Sequence, residues 1–352
     1  MINVSKNVQL KGGVDVASIR EVAKAAGVSV GSISRYLNGQ QLKPANMVKI
    51  KRAITDLGYQ QNIIAKGLKN NRSYSVGLLM NNMASRLSMD IVSSIEAVME
   101  KAGYSILLSG FEGSATRATD KIDYLLSHAV DGLILFEADS TWPGMARLSN
   151  IDVPVISLNS PNPLPNVDSL LVDDRKSVRR LITHLIAQGH HHIGVLAAPQ
   201  TDYTAQERLA GVQDAVAAHP DVQTTVYYGD YSRPSGFQGA QKLIHDQVDA
   251  LFVCNFNTAL GALEYCNRAG IRIDHDLDFS HFDYLDAMSQ LVADRLVIQQ
   301  PAKEIGGMCA ERLLERIGGK ANNVGATFTF DNLIVGLGDD PNARTKPTIV
   351  QP

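Results

Sequence analysis

The feature of this sequence that most constrains its fold is a repeated alternation of apolar strands and amphipathic helices beyond residue 75. Apolar runs such as 76–80 and 130–136 alternate with helical patterns such as 91–102, and the alternation restarts after Asp173 and Asp174. Strands that alternate with helices of this length form parallel sheets covered by helices on both faces. The sequence therefore predicts an α/β region built from two similar lobes.

Charge is distributed unevenly along the chain. Its 352 residues are enough for two or three domains, and the formal net charge is −3. Residues 1–75 contain twelve lysines and arginines against three acids, whereas the remainder contains 21 against 33. A basic segment joined to an acidic body indicates that the segment contacts phosphate. A solvated basic face without a partner is the alternative interpretation.

Several other classes of protein have no support in the sequence. No apolar run reaches the roughly 18 residues of a membrane span, and the first residues lack the apolar stretch of a signal peptide, so a cytoplasmic protein without membrane contact is predicted. Cys254, Cys266 and Cys309 show no CxxC spacing and are predicted to be buried apolar residues. The histidine run 190–192 has no second ligand cluster, so no metal is predicted. The GxSxG, Walker and HExxH motifs are missing, so neither an enzyme nor a cofactor is predicted.

The basic segment carries the signals of a helix-turn-helix. Ser18 and Glu21 form a capping-box pattern ahead of an apolar-periodic run, and Gly27 is expected to end this first helix. Ser29 is a suitable N-cap for a second short helix, 30–37. Two short helices joined by a glycine-containing turn form a helix-turn-helix. A third helix is predicted over 44–57, and its expected inward positions are Val48, Ile50, Ala53, Ile54 and Leu57.

The order of short motifs closely resembles one known family. I-x-E-V-A, A-G-V-S, S-R-x-L-N-G, L-G-Y and N-x-x-A-x-x-L occur in register across about fifty residues, as in the headpiece of the lactose-repressor (LacI/GalR) family. In the large region D-G-L-I at 131–134, V-P-V-I at 153–156 and Q-Q-P-x-x-x-I-G at 299–306 are also similar to that family. The resemblance covers roughly residues 18–337.

The resemblance implies a small all-α helix-turn-helix headpiece followed by a two-lobed, periplasmic-binding-protein-like α/β domain with parallel sheets. The expected division is an N-terminal extension, a headpiece, a hinge helix with linker, a two-lobed domain and a C-terminal tail, at 1–17, 18–60, 61–74, 75–337 and 338–352. Lobe 1 is expected to contain about 75–172 and 300–330, and lobe 2 about 173–299 and 331–337. The chain is then expected to cross between the lobes three times.

The same resemblance implies which residues meet DNA. In such a headpiece the second helix enters the major groove. Val30, Gly31 and Arg35 match the base-reading positions, and Ser29, Ser32 and Ser34 match positions that bind phosphate. Arg35 is the strongest candidate, because a guanidinium can bind guanine O6 and N7 together, although an arginine on a solvated helix face is the alternative.

Residues 62–69 match the family's hinge helix, which folds on operator binding. Asn62, Lys66 and Leu68 are its predicted DNA contacts, with Leu68 as an apolar wedge in the minor groove. Gln61 stands in place of the usual proline, and Gly67 is a poorer helix former, by about 1 kcal/mol relative to alanine. These departures suggest a looser hinge, and docking of the apolar residues on the core is the alternative.

Ligands of such folds bind in the cleft at the carboxyl ends of the strands. Residues that match the family's effector positions are Asn81, Phe136, Asn159, Thr204, Arg208, Tyr231, Asn255 and Asp283. Arg208 and Asp283 can each bind two adjacent hydroxyl groups, and Tyr231 offers a flat apolar face to a sugar ring. A surface salt bridge for Arg208, a helix cap for Asp283 and turn-forming roles for the asparagines are the alternatives.

We therefore expect a homodimeric, sequence-specific transcriptional repressor. Its partners are a near-palindromic double-stranded operator and a small carbohydrate-like effector, a sugar or sugar phosphate, which controls operator affinity allosterically. Two other hypotheses remain open at this point. One is a global regulator controlled by a phosphocarrier protein. The other, from a different class, is a sugar-binding protein with a vestigial headpiece.

Overall fold

The structure is a computed structural model that describes residues 17–61, 66–67, 70–81, 83, 85–273, 275–283, 296–320, 324–339 and 345–350. Its contacts divide the chain into a small unit, Met1–Ser73, and a large unit, Tyr74–Pro352. Predicted positions Asn62 and Leu68 lie outside the described residues.

The small unit contains the three predicted helices: α1 (Ile19–Ala26), α2 (Val30–Leu37) and α3 (Pro44–Asp56). The capping box at the start of α1 is present in both directions, because Ser18 accepts from the Glu21 amide and Glu21 accepts from the Ser18 amide. Gly27 ends α1 in the left-handed region at φ 64°, where glycine avoids the strain of a side chain. Local sequence signals thus set the helix boundaries.

The core of the small unit is formed by one face of each helix. Buried residues are Val22, Ala23, Ala26, Ile33, Ile50 and Ala53. The expectation that Val48 and Leu57 face inward is wrong, since they are 69% and 39% exposed. The physical reason for Val48 is helical geometry: it lies two residues, about 200° of helical rotation, from the buried Ile50.

Lobe 1 of the large unit is a seven-stranded sheet in the order β13-β11-β5-β4-β3-β1-β2. The strands are β1 (Ser75–Met80), β2 (Ser105–Gly110), β3 (Leu133–Phe136), β4 (Val155–Leu158), β5 (Asp168–Val172), β11 (Thr327–Phe330) and β13 (Thr348–Val350). All pairings are parallel except that of β11 with β13. The helices of this lobe are α4 (Arg86–Lys101), α5 (Ala115–Ser127) and α10 (Ala302–Ile317), with a 3-10 helix at Pro143–Asn150.

The central strands of lobe 1, β1, β3, β4 and β5, are buried on both faces, as their apolar runs predict. In β3, Ile134 and Phe136 belong to the core shared with α4 and α10. Leu133 and Leu135, on the opposite face, belong to a second core shared with α5. This period-two alternation fixes the direction of each side chain up to the last residue of the strand.

Lobe 2 is a six-stranded sheet in the order β12-β10-β9-β8-β6-β7, with only β12 antiparallel. The strands are β6 (His192–Ala197), β7 (Gln223–Tyr228), β8 (Ala250–Val253), β9 (Asp278–Phe282), β10 (Val297–Gln299) and β12 (Leu333–Val335). The helices are α6 (Asp174–Ala187), α7 (Tyr203–Val216), α8 (Arg233–His245) and α9 (Phe256–Arg268). Cores on both faces of the sheet complete the lobe.

The chain passes between the two sheets once more than the family resemblance implies. The first three passages follow β5, β10 and β11, as expected. After β12 the chain returns to lobe 1, where β13 pairs with β11 at the sheet edge. Residues 338–352, assigned from the sequence to a tail, thus contribute a strand. Thr348–Val350 is exposed and only three residues long, so it carries little of the burial pattern that reveals central strands.

Cys254, Cys266 and Cys309 are free and buried, which confirms their prediction as buried apolar residues. Among the described helices, none combines the length and apolar character needed to cross a membrane. The histidine run lies at the turn before β6, where His190 Nε2 is 2.5 Å from Asp278 Oδ2. Within the described part of the chain, no three His, Cys, Asp or Glu side chains are grouped as metal ligands.

Candidate functional site

The start of α2 is held by its own serines. Ser29 Oγ accepts a hydrogen bond from the Ser32 amide at 3.1 Å and lies 3.0 Å from Ser32 Oγ. Ile33 anchors the helix in the small core. The cap satisfies an amide at the helix N-terminus, and the buried isoleucine fixes the rotation of the helix. These contacts determine which residues α2 presents to solvent.

The predicted base-reading residues Val30, Gly31 and Arg35 are all exposed on α2. Val30, a large apolar side chain, is 42% exposed. Arg35 Nε donates to the Gly31 carbonyl oxygen at 3.4 Å, one turn back along the helix. Ser34 is partly buried. The structure therefore brings the predicted DNA-reading residues of α2 together on one element.

Positive charge surrounds α2 in the small unit. The seven lysines and arginines between 17 and 61 are all exposed, namely Arg20, Lys24, Arg35, Lys43, Lys49, Lys51 and Arg52. Of the two acids in this range, Glu21 is held by the α1 cap and Asp56 pairs with Arg52 at 3.4 Å. A surface of this kind attracts a polyanion over a long range.

Gly67 has a spatial role in the linker. A Cβ at this position would lie 2.3 Å from the Arg72 carbonyl oxygen, and the Arg72 amide donates to the Gly67 carbonyl at 3.1 Å. From the sequence, Gly67 is only a weak helix former that loosens the hinge. The close backbone approach supplies a physical reason for the glycine that the sequence did not reveal.

A cavity of about 300 Å³ lies in the large unit at the carboxyl ends of the strands. Lobe 1 contributes residues that follow β3 and β4, and lobe 2 contributes the segment between β6 and α7. Residues that line it include Glu137, Asp139, Asn159, Asp202, Thr204 and Gln206. This is the cleft in which the fold predicts a ligand.

The predicted effector residues differ in their placement. Asn159 and Thr204 line the cavity. Phe136 does not, because its side chain is 1% exposed in the lobe 1 core. As the last residue of β3 it continues the alternation that turns Ile134 to the same core, and the next residue, Glu137, faces the cavity instead. This placement corrects the expectation for Phe136.

Two predicted asparagines are engaged in local structure. Asn81 Oδ1 accepts from the Gly113 amide at 2.7 Å, which holds the loop after β2. Asn255 Oδ1 accepts from the Thr258 amide at 2.9 Å and caps α9. These bonds match the alternative interpretation that an asparagine after a strand forms a turn or a cap.

Arg208 is buried, contrary to the surface salt-bridge alternative. It is 5% exposed; Nε donates to Asp174 Oδ2 at 2.7 Å and Nη1 to the Cys254 carbonyl at 2.5 Å. The guanidinium lies 3.8 Å from the centroid of the Phe282 ring. Asp174 also accepts from Asn332 Nδ2 at 2.9 Å. Arg208 thus connects α7 with the start of α6 and the end of β8.

Asp202 organises the lobe 2 side of the cavity. Its Oδ1 accepts from the Ala205 amide at 2.8 Å, which caps α7, and from Thr204 Oγ1 at 3.0 Å. Its Oδ2 accepts from the Tyr231 hydroxyl at 2.7 Å. Burial and the nearby carboxylate of Asp202 raise the pKa of Tyr231, so this phenol remains a hydrogen-bond donor.

Glu137 is an acid at the cavity whose titration is strongly perturbed. Burial, followed by the charge of Asp202, raises its pKa to about 7, although Arg208 opposes the shift. Burial also raises the pKa of Asp283, which accepts from Gln300 Nε2 at 2.8 Å. Buried carboxyl groups with raised pKa values are typical of functional sites.

Four residues around the cleft have left-handed backbones. They are Glu137 (φ 58°), Asn159 (φ 55°), Tyr231 (φ 66°) and Asp283 (φ 69°). Glu137, Asn159 and Asp283 each directly follow a strand, and Tyr231 lies in the loop after β7. None of the four is glycine. Such conformations cost of order 1 kcal/mol each and cluster at functional sites. The backbone therefore presents these side chains in directions that an ordinary strand end does not provide.

Comparison with known proteins covers both units. Residues 18–62 match the model described as "Bacterial regulatory proteins, lacI family". Residues 73–332 match the model described as "Periplasmic binding proteins and sugar binding domain of LacI family". The second match spans more than half of the chain. The protein belongs to the LacI family.

Relatives of this LacI-family chain include the HTH-type transcriptional repressor PurR of Aliivibrio salmonicida (strain LFI1238), 25% identical over 311 residues that cover 86% of this chain and 92% of PurR. The HTH-type transcriptional regulator GntR of Escherichia coli (strain K12) is 28% identical over 312 residues, with the same coverages. The lac repressor dimer bound to operator and the anti-inducer ONPF is similar in structure, with TM-score 0.77, 26% identity and coverage of 88% of this chain and 96% of that one.

Membership of the LacI family identifies the chain as a DNA-binding transcriptional regulator rather than an enzyme. Sequence reasoning missed Glu137 and Asp202 as lining residues of its cleft, and Asp174 as the buried partner of Arg208. A signal existed for Asp202, which precedes a helical pattern in an N-cap position. Glu137 directly follows the predicted strand, but its direction depends on a left-handed backbone that the sequence does not announce for glutamate.

Proposed function

We propose that this LacI-family regulator represses transcription in the cytoplasm as a homodimer on a near-palindromic operator. In this proposal α2 reads the major groove, with Arg35 and Val30 at base edges and Ser29, Ser32 and Ser34 at phosphates. Asn62, Lys66 and Leu68 add minor-groove contacts. A small carbohydrate-like effector bound between the lobes changes operator affinity.

The observation that carries the DNA-binding part is the exposed face of α2 within a basic unit. Val30 and Arg35 are exposed although the helix is anchored by Ile33 and capped by Ser29. An ordered helix that exposes an apolar side chain and an arginine suits a groove in which thymine methyl groups and guanine acceptors are read. The seven exposed basic residues supply affinity that is independent of sequence.

The effector part is supported by the cavity and its polar lining. Asn159, Thr204, Asp202 and Gln206 offer both donors and acceptors within about 300 Å³, the lower end of the range for small-molecule sites. The matched family model is described as a sugar binding domain. These features support a small, hydroxyl-rich ligand.

The test is Arg35→Ala in the full-length protein, compared with Arg52→Ala. Both variants lose one exposed positive charge, but Arg52 lies on α3 and pairs with Asp56. We expect Arg35→Ala to lower the ratio of operator to scrambled-DNA affinity by about 1–3 kcal/mol, and Arg52→Ala to weaken both affinities equally. Gel-shift or anisotropy titrations at two salt concentrations measure this ratio.

An unchanged ratio in Arg35→Ala would remove Arg35 as a base reader. If the unmodified protein binds all duplexes equally, the proposed function fails as a whole. The titrations use the purified protein alone, so selective binding that needs an added phosphocarrier protein would favour the coregulator hypothesis instead.

A further inference from the structure

The charged side chains that line the effector cavity all have the same sign. Glu137, Asp139 and Asp202 line it, and the described lining residues include no lysine, arginine or histidine. Asp283 lies close enough for its charge to raise the pKa of Glu137 further. A ligand in this cavity therefore meets negative charge from both lobes.

The nearest positive groups are already engaged. Arg208 donates to Asp174 and to the Cys254 carbonyl, so its charge is largely balanced within lobe 2. The N-terminus of α7, which would otherwise attract an anion, is capped by the Asp202 carboxylate. A phosphate or carboxylate ligand would thus face three acids without a free cation among the described lining residues.

Asn159 adds an independent sign of a missing donor. It is 3% exposed and lines the cavity, and its side chain lowers the pKa of Glu137. Its Oδ1 is buried and, among the described residues, has no hydrogen-bond partner. Gln300, which donates to Asp283, likewise has a buried Oε1 without a partner in the described part of the chain. Such oxygens call for a donor from outside the protein.

We infer that the effector carries a protonated amine beside its hydroxyl groups, and that the ammonium binds between Glu137 and Asp202 with Asn159 Oδ1 accepting one of its N–H groups. This inference rests on the proposed function, because it takes the cavity as the effector site. An ammonium offers three donors and no acceptor, which complements two carboxylates and an amide oxygen. A metal ion is a poorer occupant, since no three possible ligand side chains are grouped among the described residues.

Amine binding is then linked to the protonation of Glu137. Asp202 and Asp283 favour the protonated acid, whereas Arg208 and the Asn159 amide favour the carboxylate. A bound ammonium also favours the carboxylate form of Glu137. Below about pH 7, binding of the amine therefore releases the Glu137 proton to solvent. Affinity for an amine that stays protonated is expected to rise from pH 5 to pH 6.5, a range below the titration of amino-sugar amines.

The experiment uses the full-length protein and matched sets of three probes. Each set contains an amino sugar, its neutral parent and the 6-phosphate of that parent: D-glucosamine, D-glucose and D-glucose 6-phosphate, with the corresponding galactose and mannose sets. Calorimetry and thermal melting at millimolar probe give the affinities. We expect at least one amino sugar to bind more tightly than both of its matched partners, and the phosphates to bind least.

Two variants remove one carboxylate each while preserving shape, Glu137→Gln and Asp202→Asn. Each is expected to weaken amino-sugar binding by more than about tenfold, as loss of one member of a buried charge pair does. Glu112→Gln is the matched control, because Glu112 is 72% exposed and pairs with Arg117 on the surface. In Glu137→Gln the rise in affinity between pH 5 and pH 6.5 should also disappear.

The inference is overturned if a neutral sugar or a phosphate binds more tightly than its amine, if no amino sugar binds at millimolar concentration, or if both variants bind amines normally. Operator titrations run in parallel keep the two proposals apart. Selective operator binding combined with a preference for neutral sugars contradicts only the inference that the effector carries an amine. Loss of operator selectivity contradicts the proposed function, whatever the sugar probes show.

Discussion

The small unit and the interior of lobe 2 use charge in opposite ways. Between residues 17 and 61 of the small unit, seven basic side chains are exposed, and the Arg52–Asp56 pair is 83% and 63% exposed. Within lobe 2, the Arg208 and Asp174 side chains of a buried pair are 6% and 2% exposed, and each group is held by further hydrogen bonds. Salt screens exposed charges strongly, whereas it screens buried charges much less, and a buried charge that loses its partner remains desolvated and uncompensated.

Removing an exposed charge and removing a buried charge should therefore affect different properties of the protein. Removing an exposed charge should change salt-dependent attraction to a polyanion and little else. Removing a buried charge should leave its partner unsatisfied and destabilise the lobe. The predictions below test that contrast, beginning with the largest effect.

Arg208→Met should lower the free energy of unfolding of the large unit by about 3–5 kcal/mol, because it leaves Asp174 buried without its cation. The control Arg175→Met removes a surface pair, in which Arg175 is 49% exposed beside Asp214, and should cost about 0–1 kcal/mol. Urea unfolding followed by far-ultraviolet circular dichroism reports on the helices of both lobes, including lobe 2, where both pairs lie. Equal losses in the two variants would contradict the contrast.

Glu137→Gln should change how stability depends on pH. The folded state raises the pKa of Glu137 to about 7 from 4.5, so its contribution is fully present below about pH 4.5 and is lost as pH rises through about 7. We expect the wild-type protein to lose about 2 kcal/mol from this group between pH 5 and pH 8, allowing for its partial exposure. The measurement is the difference between urea midpoints at the two pH values.

Glu112→Gln serves as the control for that experiment, because its carboxyl group is on the surface. The difference between pH 5 and pH 8 should match the wild type in this control and shrink in Glu137→Gln. A shift of the same size in both variants would mean that the burial of Glu137 has no energetic consequence.

Ser29→Ala should destabilise the small unit by about 1 kcal/mol through loss of the α2 cap, without changing the large unit. Ser34→Ala, inside the same helix, is the control and should be neutral or slightly stabilising, since alanine is the better helix former. Amide hydrogen exchange of α2 measures the change. Slower exchange in Ser29→Ala than in the wild type would exclude the cap as a stabilising contact.

The sequence predicted most of what depends on local chemistry. The boundaries of α1 and α2 follow from Ser18, Gly27 and Ser29, whose capping roles act within a few residues. The buried strands of both sheets follow from apolar runs, because parallel sheets are covered on both faces. For such elements, nearby residues carry the information.

What the sequence could not supply depends on contacts between distant segments. Glu137 and Asp202 line the same cavity only because the segments that follow β3 and β6 come together there. The direction of Phe136 depends on the parity of its strand, and the need for glycine at 67 depends on the approach of Arg72. The short strand at Thr348–Val350 depends on a free sheet edge at β11.

The left-handed backbones around the cleft have a consequence for redesigning ligand specificity. Replacing Glu137 or Asn159 by a β-branched residue would force a side chain into a conformation that it strongly disfavours, so such variants at these positions would be destabilised. Thr141, Thr201 and Gln206 also line the cavity and do not have such backbones. A mutant library aimed at new effectors should therefore diversify these three positions and retain the residues with left-handed backbones.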